Sequence, residues 1–159
     1  MKQAARRSRA GLLAAIGIKP RPAPTCPYCG KPSVWVVGRH LYPQHEEFRT
    51  KSFWRCHACD AHVGCHRKGS YVTDEDGRRI YSDGTLPLGA LANGPLRRAR
   101  RVAHSLFDRL HNSGRMSRDE AYEWLSAAMI LPRRATHIAM FDLPQCRRAI
   151  DLIQQHHPA

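Results

Sequence analysis

The sequence predicts an α+β fold: a small three-stranded antiparallel sheet stapled by paired cysteines, packed with about three C-terminal helices. Three observations carry this expectation. Cys26-Pro27-Tyr28-Cys29 and Cys56-His57-Ala58-Cys59 place four thiols in two knuckles separated by residues 30–55. The segments between and just after the knuckles are rich in β-branched and aromatic residues, the composition of short strands. From Pro95 onward, apolar residues recur at the spacing of amphipathic helices.

Residues 1–25 read as a basic N-terminal arm and Pro-rich linker. They carry Lys2, Arg6, Arg7, Arg9, Lys19 and Arg21 and no acid. Ala4, Ala5, Leu12, Leu13 and Ile16 fit one side of a short helix, but Lys19-Pro20-Arg21-Pro22-Ala23-Pro24 forbids helix and favours extended geometry. The apolar run Leu12–Ile16 is too short for the core of a signal peptide, and no stretch of 18 apolar residues exists to cross a membrane as a helix. The expected location is therefore cytoplasmic, with no membrane partner. In a reducing compartment, two Cys-x-x-Cys pairs argue for a metal rather than for disulfides.

Residues 26–70 read as a zinc ribbon. A two-residue spacer lets both sulfurs of a knuckle reach one ion, and four thiolates complete a tetrahedron, so Cys26, Cys29, Cys56 and Cys59 are the expected ligands of one structural Zn2+. Gly30 follows the first pair, where a tight turn favours a residue that tolerates positive φ. Strands are expected over Ser33–Leu41, Lys51–Arg55 and Ala61–His66. So small a sheet buries little apolar surface, and the metal would contribute folding free energy on the order of 10 kcal/mol. His57, His62, Cys65 and His66 lie close enough in sequence to act as substitute ligands or as a second site. The alternative is that Cys65 packs and the histidines are polar surface groups.

Residues 71–159 read as a loop and helical part packed with the ribbon as one unit. The stretch 67–94 is a loop region with turns at Asp74-Glu75-Asp76-Gly77 and Tyr81-Ser82-Asp83-Gly84. A first helix starts near Pro95, with Leu96, Ala99, Val102, Ala103, Leu106, Phe107 and Leu110 on one face. Its other face carries Arg97, Arg98, Arg100, Arg101, His104 and Arg109. Ser117-Arg118-Asp119-Glu120 is a capping box for a second helix with Ala121, Trp124, Leu125 and Ala128 inward, ended by Pro132. Ala135–Phe141 is an apolar run, strand or extended. Asp142 caps a last helix, from about Pro144 to Gln155, with Cys146, Ile150 and Ile153 inward.

As a set, several motifs resemble a zinc-finger-containing domain family of uncharacterised function found in phages and bacteria. They are Cys26-Pro-Tyr-Cys-Gly, Cys56-x-x-Cys59-Asp60, Val63-Gly64-Cys65-His66, Pro87-Leu88-Gly89-x-Leu91-Ala92-Asn93, Ala103-His104-x-x-Phe107-Asp108, Arg118-x-Glu120-Ala121-Tyr122-x-Trp124-Leu125 and His137-Ile138-x-Met140-Phe141-Asp142-x-x-Gln145-Cys146. The resemblance covers about residues 25–155. It implies a zinc-ribbon-like start and a helical C-terminal part, without an established activity.

Charge points to a partner class. Lys and Arg number 26 against 13 Asp and Glu, a net charge of +13 that favours a polyanion. The expected function is nucleic-acid binding, to DNA or RNA, with phosphates contacted by Arg6, Arg7, Arg9, Lys19 and Arg21 of the arm and by Arg97, Arg98, Arg100 and Arg101 of the first helix. Trp35 and Trp54 are core residues or base-stacking groups. Docking on a host machine such as RNA polymerase or a defence complex is the alternative, since a basic face also suits an acidic protein groove. A metal-dependent nuclease is a third reading, resting on His104 and Asp108 one helical turn apart. No His-Glu-x-x-His, nucleophile elbow or phosphate loop is present, so no catalytic residue is assigned.

Overall fold

The structure, a computed structural model, describes residues 22–74, 76–114 and 116–156. The arm residues Arg6, Arg7, Arg9, Lys19 and Arg21 lie outside the described residues. Strands β1 (Val34–Val37), β2 (Ser52–Cys56) and β3 (Ala61–Gly64) form the expected antiparallel sheet, with β2 in the centre. Trp35 stands opposite Trp54, and Trp54 opposite Val63. Because successive side chains alternate between faces, β2 is covered on both. Trp54 and Cys56 pack on one side with Cys26, Ala61 and Leu91. Phe53 meets Tyr42 and His62 on the other, at ring-centroid distances of 5.7 and 6.1 Å. Trp54 is a core residue, and its indole N–H donates to Thr85 O at 2.7 Å.

β1 is shorter than the run Ser33–Leu41. The chain leaves the sheet at Gly38 in a 3-10 turn, Gly38–His40. Gly38 lies so close to the returning chain that a Cβ there would sit 1.8 Å from Phe48 O. The region 67–94, expected to be loop, contains a hairpin of β4 (Tyr71–Thr73) and β5 (Arg79–Tyr81) around the expected turn at Asp74–Gly77. Strands of three residues are too short to establish an alternation in sequence. After the hairpin, residues 86–92 run antiparallel along β3: His66 N donates to Leu86 O at 2.7 Å, and His62 and Ala92 exchange backbone bonds of 3.0 and 3.1 Å.

Three helices follow. α1 (Gly94–Asn112) has Pro95 in its first turn and Asn93 as N-cap, the Asn93 side chain accepting from Leu96 N at 3.2 Å. α2 (Arg118–Met129) has the capping box that Ser117 and Glu120 announce, both bonds being present. It ends before Pro132, at Ile130 in the left-handed region (φ 57°). α3 (Leu143–His156) starts at Asp142, whose Oδ1 accepts from Gln145 N at 2.8 Å. The run Ala135–Phe141 is not a strand but part of two 3-10 turns, Arg133–Ala135 and Ile138–Met140. Among the described residues no sheet edge pairs with it, and Ile138 and Phe141 instead wedge into the helical core. That core joins Ala103, Phe107 and Leu110 of α1, Ala121, Leu125 and Met129 of α2, and Cys146, Ala149 and Ile153 of α3. Cys146 is fully buried there, a core residue rather than an accessible thiol. Val102, expected on the apolar face of α1, is exposed instead.

Candidate metal centre and basic surface

The first knuckle is closed by Gly30 N donating to Cys26 O and Cys26 N to Lys31 O, both at 2.9 Å, with Gly30 at φ +69°. The second is the β2–β3 turn itself: Cys56 ends β2, Asp60 takes φ 44°, and Ala61, paired with Cys56, starts β3. The two turns bring the sulfurs of Cys26, Cys29, Cys56 and Cys59 within 4.8 Å of one another. Cys29 Sγ and Cys56 Sγ are 3.6 Å apart. A disulfide requires about 2.05 Å. A tetrahedron with Zn–S bonds of about 2.3 Å has edges of about 3.8 Å, so the donor set fits one zinc ion.

The electrostatics of the metal-free thiols fit as well. A backbone hydrogen bond at Lys31 lowers the Cys29 pKa to about 7. The Cys29 sulfur beside it, then burial and the other thiols, pushes Cys59 up to about 12. Crowded thiolates repel, and only a cation lets all four ionise together. The site is therefore a structural zinc centre, and four thiolates leave no open position to activate water.

The other nearby ligand candidates are not gathered in. Among the described residues, His57, His62, Cys65 and His66 lie outside the four-sulfur cluster. His62 is buried, with Nε2 2.6 Å from Tyr42 Oη and Nδ1 3.0 Å from Arg97 Nη1. Burial first, then the Arg97 charge, lower its pKa to about 4. Cys65 packs beside the ribbon core.

The four arginines clustered at the start of α1, Arg97, Arg98, Arg100 and Arg101, divide into two pairs. Arg97 Nη1 donates to Ala92 O at 2.7 Å and Asp60 O at 2.9 Å, and Nη2 lies 3.6 Å from Asp60 Oδ2. Arg100 donates to Phe141 O through Nε and Nη2 and to Ala90 O through Nη1, at 2.7–2.9 Å. These two tie the helix to the second knuckle and to the segment before α3. Arg98 and Arg101 are exposed and enter no hydrogen bond or ion pair among the described residues. Arg109, exposed in the same way, shares their face: positions 98, 101, 105 and 109 follow one another at three- and four-residue steps. Arg147 and Arg148 on α3 are also exposed, and the helical spacing of Cys146, Ala149, Ile150 and Ile153 around them is the signal that could have found them.

His104 is half-buried with its pKa lowered, chiefly by burial, while Asp108 is exposed, and no hydrogen bond joins them. They do not form a base-and-orienter pair.

A family model described as a zinc-finger-containing domain matches residues 23–156. No curated protein and no solved structure matches the chain.

Proposed function

The chain belongs to the zinc-finger-containing domain family, and from that premise we propose that it is a zinc-stabilised nucleic-acid-binding protein, α1 being laid along the phosphates. The observation that carries this reading is the outward stripe of Arg98, Arg101 and Arg109, which have no carboxylate partner among the described residues in a chain of net charge +13. The eleven steps from Arg98 to Arg109 rise about 16 Å, a length that covers several phosphates of one strand at about 3.4 Å of axis each. The zinc ribbon has a scaffold role: through Asp60 and Ala92 it holds Arg97, and so fixes the start of α1. The arm residues Arg6, Arg7, Arg9, Lys19 and Arg21 would add phosphate contacts of the same kind. The setting we propose is a bacterial cytoplasm, with a phage genome as a source.

The test is affinity for duplex and single-stranded oligonucleotides across a salt series. The wild-type affinity should fall steeply with salt. The variant Arg98→Ala/Arg101→Ala/Arg109→Ala should lose about 2–3 units of the log–log slope, at roughly 0.9 per phosphate on duplex DNA. Zinc content and helicity should not change, because the three side chains make no hydrogen bond or ion pair among the described residues. An affinity that barely changes with salt would sink the proposal.

Docking on an acidic protein face is the second reading, favoured by Val102, which is 46% exposed amid the same arginine stripe. A partner retained stoichiometrically from nuclease-treated host lysate, and lost in Val102→Asp, would favour it. The nuclease reading has no open metal position and no His104–Asp108 bond to support it.

A further inference from the structure

The β4–β5 hairpin shows one face to solvent, and that face is aromatic and basic. Tyr71 and Tyr81 stand opposite each other in the register, with ring centroids 5.8 Å apart and planes 55° apart. They are 49% and 59% exposed. Thr73 and Arg79, the next pair on the same face, are exposed as well, while Val72 and Ile80 on the opposite face are half-buried. The Arg79 guanidinium lies over the Tyr71 ring, 4.7 Å from its centroid, and among the described residues no carboxylate pairs with it. Phenol rings and a guanidinium plane are the surfaces on which unstacked bases settle.

The surrounding charge is arranged for the same ligand. Gly69 N donates to Ser82 O at 2.8 Å and Ser82 N to Ser70 O at 2.7 Å, binding the loop 67–70 to the tyrosine end of the hairpin. That loop carries Arg67 and Lys68, both exposed and outside any ion pair among the described residues. The described acids of the hairpin sit at its other end: Asp74 accepts from Asp76 N and Arg78 N inside the turn, and Asp76 pairs with Arg78 at 3.7 Å. Asp83 is turned onto Thr85, accepting from its backbone N–H and its hydroxyl. The ring end of the platform therefore carries Arg67 and Lys68, with Asp83 held on Thr85, while Asp74 and Asp76 lie at the turn.

We propose that Tyr71, Tyr81 and Arg79 form a stacking platform for the bases of single-stranded nucleic acid, with Arg67 and Lys68 contacting the phosphates beside it. The inference rests on the nucleic-acid reading above and narrows its substrate to strands whose bases are unpaired. Duplexes hide their base faces and would meet the phosphate-contacting cations without the rings.

The decisive comparison uses the wild-type protein with a labelled oligothymidylate, as DNA and as the corresponding RNA, against an abasic strand of equal phosphate number and against a duplex. The base-bearing single strand should bind on the order of tenfold or more tighter than the abasic one. Tyr71→Ala/Tyr81→Ala should remove that advantage while duplex affinity, zinc content and helicity stay as in the wild type. Tyr71→Phe/Tyr81→Phe should retain it. Equal binding of base-bearing and abasic strands would overturn the platform and leave the phosphate reading standing. Equal loss of single-strand and duplex binding in the tyrosine-to-alanine variant would also overturn it. Failure of the wild type to bind any of these strands would overturn the platform and the nucleic-acid reading together.

Discussion

His62 shows how one side chain can be misread from spacing and understood from its neighbours. With Cys65 it has the separation of a ligand pair. In an extended strand, however, residues three apart point to opposite faces, and the structure puts His62 against Tyr42 and Arg97 instead. An arginine is always a donor, so Nδ1 accepts from Arg97 and the ring proton sits on Nε2, donated to the Tyr42 oxygen. Protonating Nδ1 would set donor against donor. Burial and Arg97 accordingly bring the pKa from the ordinary 6.5 to about 4. Because the folded value lies below the unfolded one, the unfolded chain takes up the proton first as pH falls. The stability His62 contributes is full above about pH 6.5 and is lost between 6.5 and about 4. A ring NMR titration should find His62 neutral at pH 5 with its proton on Nε2. A midpoint near 6.5 would contradict the assignment.

At the scale of the element, α1 is the clearest case of what periodicity decides. Four arginines in five positions look like one cationic face, yet each residue turns the helix by about 100°. Arg97 and Arg100 therefore fall toward the ribbon and Phe141, and Arg98 and Arg101 fall toward solvent. The 3.6-residue period was readable from the chain; which side the ribbon would occupy was not. α2 offers a stability test of the same kind. Its N-terminus is capped as the sequence announces, but its C-terminus ends on Ile130 at φ 57°, a conformation that crowds a β-branched side chain. The side chain is 84% exposed and contributes little burial. Ile130→Gly should raise stability by about 1 kcal/mol, shifting Tm by roughly 2–4 °C, as read by urea and thermal unfolding. A destabilised variant would mean that Ile130 makes a contact worth more than its strain.

For the whole molecule, the main fact is that two apolar clusters meet at adjacent residues. Leu91 belongs to the ribbon and Ala92 to the helices. Polar ties cross the junction: Arg100 to Ala90 O and Phe141 O, Arg97 to Asp60, and Asn93 N to the Tyr28 hydroxyl at 3.2 Å. The helical cluster has its own buried side chains from three helices, whereas the ribbon cluster is small and rests on the metal. Chelating the zinc should therefore abolish amide protection in β1–β3 and change Trp54 fluorescence while most helical circular dichroism survives. Loss of sheet and helices in one step would show that the ties make the two clusters a single cooperative unit.

The paired cysteines, the capping residues and the apolar helix periods are local patterns, and each determined its element from sequence alone. The zinc ligands, the three ribbon strands and the three helices were legible for that reason. Tertiary structure decided what depends on partners far apart in the chain. It decided that Arg97 and Arg100 are ties, that Arg98, Arg101 and Arg109 are exposed and unpaired among the described residues, and that His62 serves Tyr42 rather than a metal. It also decided that 135–141 fills a helical core instead of a sheet edge, and that Tyr71 and Tyr81 face each other across a hairpin. The physical reason is the same throughout: a side chain's chemistry is set by what is left to bond with it, and that is known only once the chain has folded back on itself.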